Sequence, residues 1–170
     1  MPATLVPTVT PNSTVKRTVT LNAAFMREIK EDNERLRDLK YQLEAVFHRD
    51  RLLGISRFAL AELLGEFRDQ LATHFALEEA FGYFDDPVVD VAPHLSEHVD
   101  ALRSEHADIF QDVCRLADDA DDVLRRQPDI EDFCELADRF CELDAWLARH
   151  EADENELIMN AFNADIGVGD

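Results

Sequence analysis

Apolar residues recur at spacings of three and four through four long stretches of the chain, the period of helices that each bury one face. The first stretch runs from about Asn22 to Phe47, with Phe25, Ile29, Asn33, Leu36, Leu39, Leu43 and Val46 in line. The second runs from about Ile55 to Phe84, along Leu60, Leu64, Phe67, Leu71, His74, Glu78 and Phe81. The third runs from about His94 to Arg125, along Leu95, His98 or Val99, Leu102, His106, Ile109, Val113 and Leu116. The fourth runs from about Asp129 to Phe162, along Leu136, Phe140, Leu143, Leu147, His150, Glu154 and Ile158. No proline falls between Pro11 and Pro87, which leaves the first two helices uninterrupted. Breaks are expected at Gly54, at 85–90 and at Gln127-Pro128, with Asp129 capping the last helix. Strand-like alternation is absent. Four long helices joined by short turns predict an all-α, up-down-up-down four-helix bundle over residues 21–162, with an N-terminal tail over 1–20 and a C-terminal tail over 163–170. Gly65 falls inside the second helix, at a cost of about 1 kcal/mol relative to alanine.

The stripes carry polar residues where leucine should continue. His74 and Glu78 sit one turn apart on the second, and His150 and Glu154 repeat the spacing on the fourth. In an antiparallel pair, residues equally far from the turn share a height. Asn33 and His74 flank Gly54 at nearly equal distances, His74 and His106 flank the second break, and His106 and His150 lie equally far from Pro128. At 1.5 Å per residue these agree within about one helical turn. Four helices therefore deliver His74, Glu78, His106, His150, Glu154 and Asn33 to one layer. His98 is a rival on the third helix, but it lies two turns, about 12 Å, from His106 along the axis. His48 and His94, off the stripes, read as surface residues.

Composition narrows the partners. With 17 Lys and Arg against 37 Asp and Glu, the formal net charge is -20, so neither a nucleic-acid backbone nor an anionic membrane surface is a favoured partner. No apolar run approaches the ~20 residues that span a bilayer, and the N-terminus lacks the layout of a signal peptide. The three cysteines form no CxxC pair and read as small, reduced packing residues of a cytoplasmic protein.

Two carboxylates brought together in a core repel each other and are costly to desolvate unless a cation sits between them. Mixed imidazole and carboxylate ligands suit iron, manganese or zinc. A ferritin-like Glu-x-x-His is absent, and so is HExxH. A wholly structural polar network is the alternative.

The phrases THFALEEAF (73–81), LRSEHADIF (102–110) and AWLARHEADENELI (145–158) resemble, in this order and spacing, the hemerythrin-like (HHE cation-binding) family. The resemblance covers residues about 22 to 162. It implies a non-haem iron centre, as an Fe-Fe pair or a single ion, with manganese or zinc as lesser alternatives. Glu78 and Glu154 would bridge the metals, and His74, His106 and His150 would be terminal ligands. Where the family's first helix supplies another histidine, in a stretch similar to IKEDNERLRDL (29–39), this chain has Asn33, with the adjacent Glu31 and Asp32, at the stripe's edge, as candidates to substitute. Leu102 stands where some hemerythrins carry a second histidine on the third helix. Apolar neighbours such as Phe75, Phe81, Leu102, Phe140 and Leu147 would limit water access. The implied function is binding of dioxygen or a similar small ligand, or oxygen or iron sensing. The alternatives are a peroxidase-like or nitric-oxide-handling enzyme, and a helical interaction module whose metal site has decayed. No protein partner is implied.

Overall fold

The computed structural model describes the backbone of residues 23–47, 57–81, 93–126 and 129–167, and the side chains of 31–47, 59–80, 94–123, 125–126 and 129–160. The expected N-terminal tail, His48, Phe81's side chain and most of the expected turns lie outside these residues. Four helices carry the described chain: α1 (Ala23–Phe47), α2 (Arg57–Phe81), α3 (Ser96–Arg125, led in by a single 3-10 turn over Pro93–Leu95) and α4 (Ile130–Gly167). Among the described residues there is no strand. α4 runs past the expected Phe162 because no helix breaker occurs before Gly167.

The start of α4 is fixed by its own side chains. Asp129 Oδ1 accepts the backbone N–H groups of Glu131 and Asp132 at 2.9 and 3.0 Å, and Asp132 Oδ2 accepts the N–H of Asp129 at 3.0 Å. This is a reciprocal capping box with Asp in the place of the usual Glu.

Each helix packs against the next in sequence, α1 on α2, α2 on α3 and α3 on α4. Antiparallel order shows in the cross-helix pairs. Asp119 meets Arg139, and Glu105 further back on α3 meets His150 further on along α4. The ring closes between α1 and α4, where Phe47 stacks on Phe140 at 5.3 Å and Lys40 Nζ lies 2.9 Å from Asp144 Oδ1. The fold is therefore an up-down-up-down four-helix bundle.

The buried stripes follow the sequence pattern. Leu36, Leu39 and Leu43 on α1 meet Leu60, Leu64, Phe67 and Leu71 on α2, Ile109, Val113 and Leu116 on α3, and Leu136, Phe140, Leu143 and Leu147 on α4. Each such side chain contributes roughly 1.5–3 kcal/mol by leaving water. Val99, Leu102 and Leu157 are also buried but lie outside this continuous core. Of the two candidates at the start of α3, Val99 rather than His98 takes the buried position. Two other expectations change. Leu157 rather than Ile158 closes the α4 stripe. Cys134 and Cys141 are exposed rather than packing residues, and all three cysteines are free. A Cβ placed on Gly65 would meet nothing within 4 Å, so no close helix crossing requires this glycine.

Candidate metal centre

The polar layer lies in the half of the bundle built from the N-terminal part of α1, the C-terminal part of α2 and the N-terminal part of α3, with α4 crossing it at its middle. His74 and Glu78 come from α2, His106 from α3, and His150 and Glu154 from α4; all five are more than nine-tenths buried. They sit in the core because they occupy stripe positions, and helix periodicity turns them inward with their leucine neighbours.

The inward-facing atoms form a continuous string. His74 Nε2 lies 3.0 Å from Glu78 Oε1, and Glu78 Oε2 lies 3.6 Å from His106 Nε2. His106 Nε2 is 3.4 Å from Glu154 Oε1, which is 3.1 Å from His150 Nε2. His106, His150 and Glu154 each offer a ligand atom within 4.8 Å of the others. Of these approaches the His106–Glu154 one has hydrogen-bond geometry, whereas those of His74 and His150 to the glutamate one turn on are close but badly aimed. His74 Nε2, His150 Nε2 and Glu78 Oε2 are buried with no hydrogen-bond partner among the described residues. Orphaned polar atoms in a core normally have a partner to explain them.

The outward ring nitrogens are satisfied by a second set of carboxylates. Nδ1 of His74 faces Asp32 Oδ2 at 2.9 Å, Nδ1 of His106 faces Glu79 Oε1 at 3.3 Å, and Nδ1 of His150 faces Glu105 Oε2 at 3.0 Å. A carboxylate can only accept, so Nδ1 carries the proton in each ring and Nε2 is the atom directed inward. Asp32 is itself held by Gln70 of α2 through its other oxygen. Carboxylate–histidine pairs of this kind orient imidazoles that bind metal and raise their basicity.

The electrostatics follow. Burial pulls the His74 pKa down, but the adjacent carboxylates of Glu78 and Asp32 outweigh it and bring it to about 9 from an ordinary 6.5. The His150 pKa is raised in the same way, with burial opposed by Glu154 and Glu105. Burial pushes Glu154 up, yet His106 and His150 win and hold it at about 2. Without a metal, the raised basicity favours protons on the inward nitrogens of His74 and His150, which offset the carboxylate charge.

Phe75 forms the apolar wall. Its ring stacks on His106 at 4.2 Å and lies 5.7 and 5.9 Å from His74 and His150. Phe140, expected as a shield, instead packs among Phe47 and Phe67 in the main core. The centre is not sealed on every side. A cleft of about 500 Å³ between α1 and α4 reaches His74, Glu78 and Glu154.

Asn33 does not occupy the layer position expected of it. It is exposed and lines this cleft, while Asp32 is 7% exposed and turned onto His74. The angles decide this. At about 100° per residue, Asp32 falls within roughly 20° of Leu39 and of Leu43, whereas Asn33 falls some 80–120° away. His98 is half-buried and outside the cluster, and His94 is exposed. Glu79 and Glu105 escaped the stripe reading because they sit beside the stripe residues. The mirror relation about the turns would have found Glu105, which with His150 is placed almost symmetrically about Pro128, but not Glu79, which lies much nearer the second break than His106 does.

The family model of the hemerythrin HHE cation-binding domain matches residues 24–162, which spans all four helices. No curated protein and no solved structure matches the chain.

Proposed function

From the premise that the chain belongs to the hemerythrin HHE cation-binding domain family, we propose that His74, Glu78, His106, His150 and Glu154 hold non-haem iron in the bundle core, as an iron pair, and that the centre binds dioxygen or a similar small ligand. Membership of the family implies a metal cation, typically iron. The observation that carries the reading is the set of unpaired inward atoms, His74 Nε2, His150 Nε2 and Glu78 Oε2, in one buried layer. Imidazole nitrogens and carboxylate oxygens are the donor types that iron takes, with manganese and zinc behind it. When bound, iron supplies a redox-active centre with a position for a small exogenous ligand.

This chain's own residues do the rest. Asp32, Glu79 and Glu105 fix the three rings with their Nε2 atoms inward. Glu78 and Glu154 would supply the negative charge that offsets the cation, and each lies between two of the histidines. Phe75 keeps water from one side of the rings. α1 contributes an orienting carboxylate rather than an imidazole, so the His74 side has fewer protein donors and faces the cleft. That open side supports binding of an external ligand there.

The test is iron content. The purified or iron-reconstituted full chain should carry iron and show a visible absorption band that depends on oxygen, and His74→Ala and Glu154→Ala should lose most of both. Absence of iron from the reconstituted parent would sink the reading. A second reading, turnover of peroxide or nitric oxide, is favoured by the same cleft, which admits more than a diatomic molecule. Peroxide consumption that disappears in His150→Ala would support it over reversible binding.

A further inference from the structure

We propose that the α1–α4 cleft is the route by which a hydrated divalent cation reaches the core, and that Lys40 guards it by competing for Asp144. The inference rests on the metal-binding reading above and concerns how the ion arrives. The cleft is the described opening that ends on the unpaired atoms. His74 and Glu78 line it, are only 6% and 8% exposed, and carry the orphaned Nε2 and Oε2 atoms. His106 and His150 do not line it.

Its size suits an ion that still holds its water. A water occupies about 30 Å³, so a cation with six waters needs roughly 200 Å³, against about 500 Å³ available. Dehydration can therefore wait until protein oxygens replace the waters. Its charge suits a cation as well. Half-buried Glu44, Asp144 and Glu151 lie outside Glu78 and Glu154, and together they outnumber Lys40 and Arg37. A concave wall with an excess of one sign between low-dielectric helices focuses the field and raises the local concentration of counter-ions.

Lys40 opposes this. Its ammonium lies 2.9 Å from Asp144 Oδ1 across the α1–α4 seam, with both side chains largely covered. An incoming cation has to displace it from Asp144. The two kinds of residue therefore act with opposite sign: loss of a cleft carboxylate slows loading, and loss of the Lys40 charge speeds it.

Stopped-flow uptake of Co²⁺ and of anaerobic Fe²⁺ by the chelator-stripped full chain tests this. Glu151→Gln should slow uptake roughly two- to five-fold, a fraction of the 10- to 1000-fold that electrostatic steering supplies in all. Lys40→Gln should speed it by a similar factor, and both effects should shrink in high salt. Asp108→Asn removes the same charge from an exposed position on α3, outside the cleft, and should change the rate little. Helicity and melting temperature check that each variant folds. An unchanged rate in Glu151→Gln, or equal slowing in Asp108→Asn, would overturn the route. Failure of the unmodified chain to take up either ion would overturn the metal reading itself.

Discussion

Asp32 shows how a single carboxylate can matter to a metal centre without touching the ion. It is held by Gln70, accepts from His74 Nδ1 and thereby points His74 Nε2 at Glu78. Replacing such an orienting group costs about 10- to 100-fold in metal affinity. Asp32→Asn should fall in that range with helicity unchanged, as competition against a coloured chelator would show; an affinity equal to that of the parent would argue against the orienting role. Protons report on the same residues. In the metal-free protein, His74 is held at about 9 against 6.5 in the unfolded chain. Its contribution to stability is complete below 6.5 and is lost as the pH rises through about 9. Glu154 is held at about 2 against 4.5, so its contribution is complete above 4.5 and is lost as the pH falls toward 2. Chelator-treated protein should therefore be most resistant to urea between these limits, and its midpoint should fall from pH 6.5 toward 9. At neutral pH a metal must displace the His74 proton, so loading should acidify a weakly buffered solution.

At the scale of elements, two local features have measurable consequences. The Asp129 cap satisfies two N–H groups that would otherwise be orphaned at the start of α4. Its replacement by alanine should cost about 0.5–2 kcal/mol in denaturant unfolding. Gly65 lies in helical backbone with open space where a Cβ would go. Gly65→Ala should stabilise the protein by about 0.5–1 kcal/mol, and destabilisation would reveal a constraint that the static structure does not show. The helices themselves were legible from apolar spacing, because each buries one stripe of leucine, phenylalanine or valine. Their ends were less so, since α4 continues past the expected Phe162 to at least Gly167.

For the whole molecule, the polar layer interrupts an otherwise apolar bundle, leaving Val99, Leu102 and Leu157 apart from the main core. A ligand present at 100 to 1000 times its Kd adds about 2.7–4.1 kcal/mol. Chelation should therefore lower the melting temperature while leaving the chain helical, because the continuous leucine and phenylalanine core does not depend on the ion. Equal melting curves with and without metal would mean that the layer is a self-sufficient hydrogen-bonded network.

The sequence by itself determined the all-α bundle and the layer that joins His74, Glu78, His106, His150 and Glu154. Helical periodicity dictates which residues face inward, and distance from the turns dictates their height. Three things waited for the tertiary structure. Asp32 rather than Asn33 faces the layer, because the choice turns on about 100° of helix phase. Glu79 and Glu105 orient rings carried by neighbouring helices, a relation that no single stripe contains. The α1–α4 cleft depends on how closely two helices distant in sequence approach, which is set by the packing of all four.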